Sequence, residues 1–172
     1  MTEKSKSIFL VRAVALFIDV AIFFPLGFLI AIIIDVVTNG APVSPLDVYI
    51  RVIICFSIPF WVYSILCDFS ESGSTIGKKV MKLHVKTLEM ERLRLYQAIS
   101  RTAIKLIPWE MTHLTFFGFS EGWGTFNMVQ IILIVILYGL IFVYIIIMIR
   151  TKGVKGIHDI ISHTQIKSIK KS

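Results

Sequence analysis

The sequence predicts an all-α membrane protein with four transmembrane helices, and three observations carry that reading. More than half of the 172 residues are apolar, and they fall in blocks rather than alternating with polar residues. Several blocks approach the roughly 20 apolar residues that cross a bilayer as a helix. The lysines and arginines, which leave a net charge of +7, crowd some connections between blocks and are missing from others.

The first block, about residues 10–36, follows Lys4, Lys6 and Arg12. It is too long for a signal peptide, contains Asp19 and Pro25, and precedes no small-x-small cleavage site, so a retained anchor is expected. The second block spans about 48–67, and the last, which has no charged residue, about 128–149. A further segment, about 100–119, is shorter and more polar, and the loop charges decide it. Residues 38–47 and 118–127 carry no Lys or Arg. The connection 68–99 carries Lys78, Lys79, Lys82, Lys86, Arg92 and Arg94, and the tail 150–172 carries Arg150, Lys152, Lys155, Lys167, Lys170 and Lys171. By the positive-inside rule this pattern reads in, out, in, out, in, with both the N- and C-termini cytoplasmic. The third span is then short, about 24 Å over 104–119, and is expected to kink or break at Pro108, which lacks a backbone donor. Phe116, Phe117, Phe119 and Trp123 would form its outer aromatic belt.

The basic connection contains Ser-Glu-Ser-Gly-Ser-Thr-Ile-Gly-Lys-Lys at 70–79. This is not a phosphate-binding loop, because Gly73 and Gly77 are one residue too close and Lys79 replaces the magnesium-binding hydroxyl. A turn and a short interfacial helix fit better: Ile76, Val80 and Leu83 share one apolar face. Lys78, Lys79 and Lys82 lie off it, where they would hold anionic lipid head groups. A small hairpin is expected around 89–91. In the tail, Ile157, Ile160 and Ile161, with His158 and Asp159 among them, predict a second interfacial piece.

Ionisable groups inside a membrane are costly, so each marks a candidate site. With Arg12 and Lys105 at the inner interface, helical rise puts Asp19 about 10 Å deep, Glu110 about 8 Å and His113 about 12 Å. Asp19, Glu110 and His113 are therefore candidates for ion and proton binding in one layer. Arg12 shares a helix face with Asp19, and Glu110 shares one with His113. Asp68, level with Arg12, is a candidate partner. Asp35 and Arg51 form a candidate outer pair, and Arg101 and Lys105 mark the cytoplasmic rim.

Other classes are disfavoured. The cations sit beside apolar runs without interleaved aromatics, which argues against nucleic acid. Cys55 and Cys67 suit neither a disulfide framework nor a zinc site. Glu110-x-x-His113 is half of a di-iron motif that needs a second copy and two more glutamates. No metal, cofactor or enzymatic activity is expected.

Arg12 at the start of the first span, Asp19 inside it and Asp68 at the end of the second resemble the RDD family of bacterial membrane proteins, named for one arginine and two aspartates so placed. The stretch Gly-Ser-Thr-Ile-Gly-Lys-Lys-Val-Met-Lys-Leu-His-Val at 73–85 is similar to that family, as are Arg101 and Gly-Ile-His-Asp-Ile-Ile-Ser-His-Thr at 156–164. The resemblance implies a single transmembrane domain over 1–172 and a multi-pass protein of the bacterial cytoplasmic membrane. It also implies a role in transport, with cation/proton exchange in some members. Exchange would need a buried carboxylate on which a proton and Na+, K+ or Li+ compete, with His113 relaying protons. The alternative is a non-catalytic protein that binds lipid or a membrane partner. A unit this small encloses little, so a homodimer is expected.

Overall fold

The structure, a computed structural model, describes residues 3–119, 126–151 and 153–168, with side chains from Ile8 onward. Trp123, Lys152, Lys170 and Lys171, given roles above, lie outside the described residues.

The protein is mostly helical. Three stretches are long and apolar enough to cross a membrane: Ile8–Thr38, Pro45–Phe69 and Met128–Arg150. Their outer faces are apolar, with Phe17, Val36, Val135 and Phe142 each more than 60% exposed. Polar groups such as Asp19, Ser57, Ser64 and Gln130 are buried between them. That inversion of the water-soluble pattern is what a bundle in hydrocarbon requires.

Helix α1 (Glu3–Thr38) ends where Asn39 turns left-handed at φ 50° and the Gly40 amide bonds back to Asp35. Helix α2 (Pro45–Val52) opens with a capping box between Ser44 and Asp47 and with Pro45 in its first turn. A π-helical turn, Ile53–Ser57, joins α2 to α3 (Ile58–Phe69), so that the two form one continuous span. The π turn falls just before Pro59, whose missing donor loosens the local ladder.

Helix α5 (Leu95–His113) runs on through Pro108 rather than breaking there. Proline at that position strands the carbonyl of Ile104, one turn back. The Tyr144 hydroxyl of α6 (Met128–Arg150) donates to that carbonyl and repairs the loss from a neighbouring helix. A second π turn, Leu114–Gly118, follows α5. Near it the buried Gln130 amide donates to the Thr115 carbonyl at 3.0 Å.

The basic connection and the tail fold together. Helix α4 (Ile76–Val80) leads into β1 (Leu83–Thr87), and α7 (Ile157–Ile161) leads into β2 (Thr164–Ser168). The two strands pair antiparallel, Val85 opposite Ile166. This small sheet corrects the all-helical expectation. It also corrects the expected local hairpin: the chain does turn at Met90 (φ 69°), but the partner of β1 is the tail. Alternate residues Leu83, Val85 and Ile166 turn inward onto Ala15, Val11 and Leu93, which seats a compact cap on the first turns of α1. Ile160 and Ile161 stay exposed, whereas His158 and Asp159 between Ile157 and Ile160 are buried.

Candidate functional site

The cap is locked to the helices by a chain of buried charges centred on Arg101 of α5. Its Nε donates to Asp68 at 3.0 Å, and its Nη1 donates to Asp159 and, at 2.9 Å, to the Thr164 hydroxyl. Asp68, at the end of α3, also accepts from Lys78 of α4 at 2.5 Å. Asp159, in α7, accepts from Arg12 of α1 at 2.8 Å and from its own N-terminal amide, that of Gly156, at 2.7 Å. Arg12 further donates to the carbonyls of Gly153 and Val154. Lys78, Asp68, Arg101, Asp159 and Arg12 thus alternate in sign across four helices and the connection.

Both aspartates and Arg101 have 1% or less of their side chains exposed. Burial alone pushes the Asp159 carboxyl up, but the charges of Arg101 and Arg12 outweigh it and hold the group well below the ordinary carboxylate range. Burial draws the Lys78 ammonium down, against the pull of Asp68. Burial, reinforced by Arg101, pushes His158 well below its ordinary value, so the ring is neutral near pH 7.

Two site residues therefore depart from expectation. Arg12 pairs with Asp159 rather than with Asp68, which is taken by Lys78 and Arg101, or with Asp19, two turns along its own helix. Lys78 does not face lipid: it turns inward to Asp68, while Lys79 and Lys82 stay exposed. The reason is the same for both. The cap supplies acidic and cationic partners that the helices alone do not contain.

Asp19 is held by neutral donors. Its carboxylate accepts from the Tyr63 hydroxyl at 2.8 Å, the Thr75 hydroxyl at 2.6 Å and the Gly77 amide at 2.8 Å. Gly77 can approach because it has no side chain: a Cβ there would stand 1.9 Å from the Ala15 carbonyl oxygen. Asp19 is thereby a latch that holds α4 against α1.

Glu110 is also held by neutral donors, the Ser57 hydroxyl at 3.0 Å and the Trp61 indole at 2.8 Å. The π turn carries Ser57 into the bundle. His113 does not bond Glu110; its Nδ1 lies 2.9 Å from the Trp109 carbonyl, and its ring packs edge-on to Trp109. Asp19 meets Tyr63 of α3, whereas Glu110 meets Trp61 and Ser57, roughly 3 to 9 Å further along that span. The three candidates occupy different surroundings, and among the described residues no hydrogen bond joins them.

At the other end Arg51 pairs with Asp35 and donates to the Gly40 carbonyl at 3.3 Å. Lys105 lies 3.5 Å from the Ser64 hydroxyl and 5.8 Å from the centre of the Phe60 ring, with no carboxylate in ion-pair reach among the described residues. Among those residues no group of three His, Cys, Asp or Glu is placed to hold a metal. Sequence reasoning missed Asp159 as the second anchor of the clamp; the signal available was an aspartate set within the short apolar run Ile157, Ile160 and Ile161.

These features define a multi-pass helical membrane protein whose polar connection and tail are clamped together by buried charge. The profile of the RDD family matches residues 8–163, and the chain belongs to that family of membrane proteins. No curated protein and no solved structure matches the chain.

Proposed function

We propose that this protein exchanges a monovalent cation for a proton across the bacterial cytoplasmic membrane, and that Glu110 is the carboxylate on which the two compete. One observation carries the reading: Glu110 and Asp19 are held by neutral donors alone, while Asp35, Asp68 and Asp159 are already neutralised by Arg or Lys. A carboxylate with neutral partners retains an unspent charge that either a proton or a cation can satisfy. Asp19 shares its cavity with Arg12, Lys78, Arg101 and Lys105, which repel an incoming cation. Among the described residues Glu110 makes no ion pair with Lys or Arg, and the exchange site is assigned to it. His113, one turn further, lines an apolar cavity of about 260 Å³ beside Arg51 and would pass protons toward the opposite end.

The reading uses four crossings with both termini in the cytoplasm. It is supported by the course of α5, which starts beside the clamp and leads to Gly118, where an added Cβ would lie 3.6 Å from Tyr49 of α2. The start of α1 and the residues after α6 also meet, since Arg12 bonds Gly153. In everted vesicles, addition of Na+ or K+ is expected to dequench a pH-sensitive dye, and Glu110→Gln is expected to abolish the response. Dequenching by Glu110→Gln at the wild-type rate would remove Glu110 from the mechanism.

A second reading, a protein that binds the anionic lipid surface, is favoured by Ile76 and Val80, exposed on α4 with Lys79, and by Ile160 and Ile161, exposed on α7. It expects Lys79→Ala with Lys82→Ala to weaken function while Glu110→Gln leaves it intact.

A further inference from the structure

Two cavities meet at Lys105 and Leu16. One, of about 300 Å³, lies under the cap and is lined by Arg12, Asp19, Lys78, Arg101, Lys105 and His158 together with apolar side chains. The other, of about 330 Å³, runs away from it between α1, α3 and α5, walled by Val20, Phe23, Phe60, Trp109 and Ile141. Leu16, shared by both, is 47% exposed, so the junction opens on the outer face of α1. One compartment is charged, its neighbour is almost wholly apolar, and each is of the size that small ligands occupy.

The charged compartment holds a cation without an anionic partner and a buried N–H without an acceptor among the described residues. Lys105 has no carboxylate partner, as described above. His158 is 6% exposed, and its Nδ1 has no hydrogen-bond partner among the described residues. Arg12 Nη2 faces His158 Nε2 at 3.2 Å. Asp159 Oδ2 stands 3.4 Å from the same nitrogen, beyond good hydrogen-bond distance, so Nε2 accepts from Arg12, whose guanidinium has no acceptor, and the ring proton sits on Nδ1. A buried N–H left unpaired is costly. Around the cavity, Arg12, Lys78, Arg101 and Lys105 stand against Asp19, Asp68 and Asp159, one positive charge in excess.

We propose that the joined cavity binds an anionic single-chain amphiphile, with its head group among Lys105 and His158 and its acyl chain along the groove between Phe23, Phe60, Trp109 and Ile141. A single negative charge balances the cluster, gives Lys105 an anionic partner and gives the His158 Nδ1 an acceptor. The apolar groove continuing from Lys105 gives the chain a bed inside the protein, and the opening at Leu16 gives it entry from the bilayer. The site rests on the cavity alone and stands whether or not Glu110 exchanges ions.

The test is scintillation-proximity binding of tritiated oleate to the full-length protein in maltoside micelles. Saturable binding is expected, displaced by unlabelled oleate and by lysophosphatidylglycerol but not by oleyl alcohol or inorganic phosphate. Displacement by phosphate alone would reduce the site to a bare anion pocket and overturn the acyl assignment. Equal displacement by oleyl alcohol would overturn the role of the charge. Lys105→Met is expected to weaken binding roughly tenfold or more, as loss of a charged hydrogen-bond partner does, and Lys105→Arg to restore most of it. Ile141→Trp, which narrows the groove without touching the charges, is expected to block oleate as well. Wild-type affinity in both Lys105→Met and Ile141→Trp would overturn the proposal.

Discussion

The two ends of helix α5 treat charge in opposite ways. At its start, Arg101 is enclosed by Asp68 and Asp159, and these in turn by Lys78 and Arg12, so each carboxylate faces at least one full positive charge. Nine residues later, about 13 Å along the axis, Glu110 faces only a hydroxyl and an indole. The first arrangement is spent on holding the cap to the bundle. The second leaves Glu110 without a cationic partner among the described residues, which is why the proposed exchange is assigned to it. Arg101, Asp68 and Asp159 are fully buried and Glu110 only partly so, and the two clusters differ in partner type: full charges at the first, neutral donors at the second.

The comparison is broken most severely at Arg101. Arg101→Met leaves Asp68 and Asp159 each short of a cation, and removing one member of a buried ion network costs about 3–5 kcal/mol. The expected result is loss of the folded cap, read as rapid amide hydrogen exchange across β1, whose Val85 is fully buried in the intact protein. Slow, wild-type exchange there would show that the clamp is dispensable. Gly77→Ala forces a methyl against the Ala15 carbonyl and pries α4 from Asp19; overpacking of this kind costs about 1–3 kcal/mol, measurable as a lower midpoint of thermal unfolding.

Acid acts on the clamp end through two groups. The folded-state pKa of His158 lies below its unfolded value, so its contribution to stability is complete above about pH 6.5 and is lost as the pH falls from there. The limit is roughly 1.4 kcal/mol per pH unit for one proton. Asp159, also depressed, adds a further loss only below the ordinary carboxylate range near pH 4. Thermal midpoints of the wild type are expected to drop between about pH 6.5 and 5, and His158→Gln to flatten that interval. A slope unchanged in His158→Gln would assign the acid sensitivity elsewhere. Tyr144→Phe is the mildest of these changes, about 1 kcal/mol for one hydrogen bond to the Ile104 carbonyl. Its cost should largely vanish in a Pro108→Ala background, where the helix ladder satisfies that carbonyl itself.

The apolar spans were legible because a bilayer imposes length and hydropathy on every crossing, and the three long ones fall within a few residues of the observed stretches. The single layer expected of Asp19, Glu110 and His113 was not legible, because helical rise says nothing of which neighbour each side chain meets: Asp19 bonds Tyr63, Glu110 bonds Trp61 and Ser57, and His113 turns to the Trp109 carbonyl. What the sequence hid was long-range pairing. Nothing local tells Val85 that its partner is Ile166, because no turn residue sets that register. The same gap concealed Asp159 as the partner of Arg12 and left Lys78 to be read as a surface cation. Nor did the spacing of Glu110 and His113 reveal that Ser57 would be carried to Glu110 by a π turn, since a one-residue bulge leaves little trace in hydropathy.

The exchange carboxylate is tested most directly in proteoliposomes holding purified protein, a trapped pH dye and an imposed sodium gradient. Wild-type protein is expected to move protons against the sodium flow, and Glu110→Gln to move none while labelling of its buried Cys55 stays slow. Sodium-driven proton movement in Glu110→Gln equal to the wild type, or its absence from both, would contradict the account.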